Sequence, residues 1–141
     1  RIIKHFYGSI HSRKPFYTAV MVSIAGFMSS PFFSVYGASK AALKIFIESV
    51  NVELKKSGTD NRILNVSPGR INGTNFYNGA NNLSLLYPLA DEIIYHMNNR
   101  NDLFIPEYEE VFKKVLERYH RDFRAEGEHS YEYKQEQLKR K

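Results

Sequence analysis

Three stretches decide how this chain folds: Thr18-Ala19-Val20-Met21-Val22-Ser23, the residues from Val35 to about Ser57, and Arg62-Ile63-Leu64-Asn65-Val66, ended by Ser67-Pro68-Gly69. The first is short, almost continuously apolar and rich in β-formers, which suits a strand buried on both faces of a parallel sheet. The second is rich in Ala, Leu, Lys and Glu. Its Ala38, Ala42, Ile45, Phe46, Ser49 and Val50 fall near helical spacing, Lys55 and Lys56 close its last turn, and Gly58 stands just past the end. The third is a second strand, stopped by the Pro-Gly turn. Strand, helix and strand in this order form a βαβ unit, the repeating piece of parallel sheets.

Working outward, Ile24 to Ser34 reads as a loop, with Gly26, Pro31 and several serines. Gly69 to Ser84 is a long polar segment rich in Gly and Asn, of a length that usually serves function or motion. Pro88 to Met97 places Leu89, Ile93, Ile94 and Met97 on one helical face. Leu103-Phe104-Ile105-Pro106 reads as a short edge strand. From Glu107 the set Tyr108, Val111, Phe112, Val115, Leu116, Tyr119 and Phe123 keeps helical spacing for about four turns. The closing Lys139-Arg140-Lys141 reads as a frayed, solvated tail.

The 141 residues are 43% hydrophobic and 25% charged, with ten Tyr, ten Phe and no Trp, which is globular composition and excludes disordered and collagen-like chains. No apolar run approaches the roughly 18 residues that a membrane-spanning helix needs, and no signal peptide opens the chain. With no Cys, disulfide frameworks and thiolate metal sites are excluded, and a reducing cytoplasm is the expected compartment. Charge is uneven: residues 1–70 carry ten Lys/Arg against three Asp/Glu, residues 71–116 three against six, and residues 117–141 seven against six. The basic first half suits nucleic acid, acidic lipid or an anionic cofactor, and equally a scatter of solubilising charges.

Chemistry concentrates between Ser23 and Lys40. Tyr36 and Lys40 are four apart at the start of the long helix and share a face. An ammonium close to a phenol favours the phenolate, which suits the pair to acid/base work. Ser23 ends a predicted parallel strand, where open α/β sheets place their ligands. A lone Tyr-x-x-x-Lys is common by chance. The strand, the Ser and the later Pro-Gly are what give it meaning.

Val20-Met21-Val22-Ser23-Ile24-Ala25-Gly26, then Tyr36-Gly37-Ala38-Ser39-Lys40-Ala41-Ala42-Leu43, then Asn65-Val66-Ser67-Pro68-Gly69 together resemble the second half of a short-chain dehydrogenase/reductase. The resemblance is close from about Ala19 to Thr74 and looser through Ala90 and the strand at 103–106. It implies a Rossmann-like α/β fold, a doubly wound parallel sheet. It also implies an oxidoreductase that moves hydride between NAD or NADP, without choosing between them, and a secondary alcohol or carbonyl. Tyr36 would be the acid/base on the substrate oxygen. Lys40 would assist it and hold the nicotinamide ribose, and Ser23 would orient the carbonyl or hydroxyl. Pro68 and Gly69 would shape the turn over the nicotinamide, and the Ile71 backbone would reach its carboxamide. The family often has a Thr five residues after the Pro; here that position is Gly73, and Thr74 stands one residue late as the pyrophosphate contact.

The departures from that pattern lie ahead of the first strand. Nothing resembles the family's opening strand and Gly-rich turn, and the family's helix Asn would fall on His5. The 141 residues are therefore expected to be a single partial domain whose nucleotide-binding half is absent or not included, with residues 1–17 a remnant or discontinuous segment. The expected partners are a small alcohol or carbonyl, apolar if Phe27, Met28, Phe32, Phe33, Phe76 and Tyr77 line the pocket rather than the core, and further copies of the chain in a dimer or tetramer. Neither nucleic acid, membrane nor metal is expected; the five His are spaced as surface residues. The competing expectation is a non-catalytic remnant that serves as an oligomerising or binding module.

Overall fold

The computed structural model describes residues 2–74 and 81–139. Strand β1 (Thr18–Met21) pairs in parallel with β2 (Ile63–Val66), in the register Thr18 with Ile63 through Met21 with Val66. The ladder runs one bond further, from the Val22 amide to the Val66 carbonyl at 2.7 Å, so the first strand reaches the doorstep of Ser23 as its apolar run predicts. Strand β3 (Leu103–Phe104) adds in parallel on the far side of β2, which gives the order β1-β2-β3 and puts the 103–106 run at the edge. The parallel connection between β1 and β2 is helix α2 (Ser34–Lys56), closing on Lys55, Lys56 and a left-handed Gly58. This is the parallel α/β arrangement that the βαβ reading predicts, and the Rossmann-like one that the resemblance implies.

The middle strand is buried on every side chain, because helices cover both faces. On one face Ile63 packs with Ile47, Val50 and Leu54 of α2 and with Ile10 of helix α1 (Ile2–Ile10). Asn51 of α2, also buried, uses both ends of its amide on Ile63, accepting from its N–H and donating to its C=O, each at 2.9 Å. Leu64 and Val66 alternate with Ile63 and are buried on the opposite face. Helix α3 (Tyr87–Asn98) packs against β1 and β2, with Leu89, Ile93, His96 and Met97 half-buried. Ile94, expected on this face, is exposed. His96, expected at the surface, stacks on Phe104 at 4.2 Å.

Residues ahead of β1 are tied down by a buried amide. Asn61 donates to the carbonyls of Ile10, Ser12 and Lys14 at 2.9–3.1 Å and accepts from the Phe16 amide at 2.9 Å. Arg100 adds a bond to the Phe16 carbonyl and lays its guanidinium over Tyr17 at 4.0 Å. These bonds tie the segment before the first strand to the start of β2 and to the turn after α3.

After β3 the structure corrects the sequence. The single four-turn helix expected over 108–123 is instead a π-helical turn (Tyr108–Phe112), helix α4 (Lys113–Arg121) and helix α5 (Phe123–Lys139). The break is Asp122, whose extended backbone lets its carboxylate accept from the amides of Arg124 and Ala125 at 3.1 and 3.0 Å. Of the three residues read as a frayed tail, Lys139 ends this helix, and residues 140 and 141 lie outside the described residues.

Candidate active site

Ser23 stands just after β1 at the carboxyl end of the parallel strands, where such sheets put their ligands, and Lys40 reaches the same end through the Met21 carbonyl. Ser23 follows β1 with an extended backbone and caps the 3-10 turn Ile24–Gly26, its hydroxyl oxygen accepting from the Ala25 amide at 3.2 Å. It is buried, and accepting that bond leaves its O–H able to donate. Tyr36 and Lys40 lie in the first two turns of α2, both half-buried. The Lys40 ammonium donates to the Met21 carbonyl at 3.1 Å and stands 5.5 Å from the centre of the Tyr36 ring. One lysine thereby couples the end of β1 to the phenol.

A glycine makes that approach possible. A Cβ on Gly26 would sit 2.8 Å from the Lys40 carbonyl carbon, so only a residue without one lets the turn after Ser23 rest on the α2 backbone. In the sequence Gly26 is loop punctuation; its packing on α2 and the bond of Lys40 to the Met21 carbonyl are tertiary contacts with no local signal.

The Pro-Gly turn follows β2 beside this group. The Pro68 carbonyl accepts from the Ile24 amide at 3.0 Å, which joins the turn to the Ser23 segment. Gly69 carries the ring of Phe112 against it, so the π-helical turn after β3 borders the turn that the resemblance assigns to nicotinamide. Thr74 donates its hydroxyl to the Ile71 carbonyl at 2.9 Å, a turn-forming bond that occupies the side chain. Gly73 has φ +81°, and a Cβ there would lie 2.6 Å from the Asn82 carbonyl oxygen. A side chain therefore has no room at position 73, where the resemblance would put a Thr. Phe76 and Tyr77 lie outside the described residues.

The aromatic residues divide. Phe27 and Met28 pack with Phe112 on a second core cluster of Ile24, Ile105 and Leu116. They also line a cavity of about 510 Å³ between the 25–31 loop, Tyr119 of α4 and the face of α2 that bears Ser34, Gly37, Ala38 and Ala41. None of Ser23, Tyr36 and Lys40 is on its wall. Phe32 and Phe33 are turned toward α5. Among the described residues no three His, Asp or Glu are grouped to hold a metal, and no helix is long and apolar enough to cross a membrane.

Residues 18–82 match the family model described as short chain dehydrogenase. A Saccharomyces cerevisiae protein, the uncharacterized oxidoreductase TDA5, is 37% identical over 73 residues, 51% of this chain and 22% of its own. The fold superposes on a protein assigned as a short-chain dehydrogenase from Novosphingobium aromaticivorans, with a TM-score of 0.59 and 15% identity over 87% of this chain and 42% of that one. It also superposes on a short-chain dehydrogenase from Sphingobium yanoikuyae in complex with NADPH, with a TM-score of 0.52 and 20% identity over 85% and 47%. The chain spans about a fifth of the length of its yeast relative and under half of the two structures. Over its βαβ unit it is thus similar in sequence to the short-chain dehydrogenases, and it shares the fold of two solved members.

Proposed function

We propose that this chain carries the proton-transfer residues of a short-chain dehydrogenase/reductase, an NAD(P)-dependent oxidoreductase that interconverts a secondary alcohol and a carbonyl. The observation that supports it most is the position of the Lys40 ammonium, bonded to the Met21 carbonyl and beside the Tyr36 ring at the carboxyl end of β1. In reduction the Tyr36 hydroxyl gives its proton to the substrate oxygen, and in oxidation it takes it back. The Ser23 O–H donates to the same oxygen, which holds it toward Tyr36 and stabilises negative charge growing on it.

The residues present fit the nicotinamide end of the cofactor. Lys40 has three N–H donors and spends one on Met21, which leaves two for a ribose. The Pro68–Gly69 turn and the Ile71 backbone would border the ring and its carboxamide, with Thr74 near the pyrophosphate. The bound nicotinamide supplies or takes up the hydride. The reading takes NAD or NADP without choosing between them.

The deciding experiment is Tyr36→Phe in the full-length protein, assayed with NADH and NADPH against a panel of apolar carbonyls. Turnover is expected to fall by about 10³-fold or more with the melting temperature unchanged. Turnover near that of the parent would sink the reading.

A second observation favours association. Val35, Ile45, Phe46 and Val52 are exposed along one stripe of α2, a row of apolar side chains that a soluble monomer seldom leaves open. We place a homo-oligomer, dimer or tetramer, on this face, in the cytoplasm; an oligomerising module without chemistry would use the same stripe. Phe46→Glu should convert the assembly to monomer in sedimentation analysis, and an unchanged mass would reject this face.

A further inference from the structure

Between the Ser23 turn and Tyr36 runs the loop Ser29–Phe33, and one face of α5 lies along it. Gly127, Tyr131 and Lys134 are four and three residues apart, so they share that face. Gly127 lies against Ser29, where a Cβ would come 3.1 Å from the hydroxyl. The Tyr131 ring stacks on Phe32 with centroids 4.7 Å apart and planes at 24°. The Lys134 ammonium donates to the Ser30 hydroxyl at 2.9 Å and to the Pro31 carbonyl at 3.2 Å, and it stands 5.5 Å over the Phe33 ring.

What these contacts hold is a strained entry into the catalytic helix. Phe32 has φ +68°, the left-handed region that bulky residues avoid unless their neighbours fix them there. Phe33 occupies the N-cap of α2 and makes no side-chain capping bond, so the helix start lacks its usual local anchor. The chain of backbone bonds then runs without a break into the first turn, from the Phe33 amide to Ser30 at 2.9 Å and from the Gly37 amide to Phe33 at 2.8 Å. Tyr36 is inside that turn.

We infer that Tyr131 and Lys134 are positioning residues: α5 straps the 29–33 loop in place and thereby fixes the turn of α2 that presents Tyr36. The inference rests on the oxidoreductase reading for its consequence in catalysis, though not for the strap itself. Burial lowers the Lys134 pKa below the usual lysine value, in line with an ammonium drawn out of water to reach the loop. The strap is anchored behind by Arg118, which bonds both carboxylate oxygens of the buried Glu126 on α5 at 2.6 and 3.1 Å.

The test uses the full-length protein with Tyr131→Ala, Lys134→Ala, Lys134→Arg and, on the loop side, Ser30→Ala. Amide exchange of residues 30–37 should rise about tenfold in the two alanine variants of α5, with the rest of α2 unchanged. On the oxidoreductase reading kcat should fall about tenfold with coenzyme Kd unmoved, and Lys134→Arg should restore most of it. Ser30→Ala removes a partner without touching α5, so it reports even if the helix variants misfold, and it should raise the same exchange by a smaller factor. Parent-like exchange at 30–37 in Ser30→Ala and in any folded α5 variant would overturn the strap, as would a fall in kcat that Lys134→Arg does not repair. If the parent protein has no turnover while exchange still rises, the oxidoreductase reading fails and the strap stands.

Discussion

The βαβ unit at residues 18–69 and the helices at 107–139 are built from similar material and held by opposite means. In the first, the middle strand is buried on every side chain, and the core residues Ile47, Leu54 and Ile63 are fully enclosed. In the second, Leu116 and Glu126 are the buried residues of α4 and α5 among those described, and the rest is half-covered or exposed. The first region is fixed by burial and by backbone pairing, which act on every residue. The second is fixed by a few directed contacts: the Arg118–Glu126 pair, the Asp122 cap and the face that α5 lays on the loop before Tyr36. The residues proposed to transfer the proton sit in the enclosed region, and the strap proposed to position them sits in the looser one.

The sharpest way to break this contrast is to open the enclosed region. Ile47→Ala removes a side chain with no exposure from the seam between α2 and the sheet, and about 3–4 kcal/mol of global stability should go with it. Urea unfolding followed by fluorescence and by far-UV dichroism should show one coincident transition at a lower midpoint. A loss below about 1 kcal/mol would mean that the unit does not carry the stability of the fold.

The same contrast explains what could be read from the amino-acid order. Tyr36 and Lys40 share a helical face by spacing alone, and the length of the apolar run carries the ladder to Val22, next to Ser23, so the place of each residue along its element was legible. Each follows from a local period. The break at Asp122 was not, because Tyr119 and Phe123 keep the apolar spacing across it. The available signal was an Asp able to cap the amides of Arg124 and Ala125, and hydrophobic periodicity does not weigh that. His96 on Phe104, Gly26 on Lys40 and Gly73 under Asn82 are contacts between residues distant enough in sequence that no local pattern encodes them.

A smaller effect is expected where the terminal helices meet. Glu126→Gln keeps the shape of the side chain and removes the charge that Arg118 answers. Because the arginine is half-exposed, the pair is partly screened, and the loss should be about 1 kcal/mol. It should be local: amide exchange across Glu126 to Lys139 rises while α2 and the strands keep their protection. Protection lost evenly over the whole chain would show that the two regions unfold as one and that the contrast between them is false.

The smallest expected effect concerns pH and isolates Lys134. Burial holds its pKa below the usual lysine value, so in the window between its folded pKa and about 10.5 the unfolded chain keeps a proton that the folded chain has released. More protons bound in the unfolded state means that stability from this group rises with pH across that window. Below the window both states are protonated, and the cost of burying the ammonium is constant. Tyrosines and other lysines titrate in the same range, so the measurement is a difference: unfolding free energy of the parent minus that of Lys134→Met, followed upward from pH 8. The difference should shift in favour of the parent as pH rises, by a fraction of what Glu126→Gln costs. A flat difference would mean that the ammonium is not strained by its place against the loop, and that α5 grips residues 29–33 through the Tyr131–Phe32 stack and the hydrogen bonds of Lys134 without drawing its charge out of water.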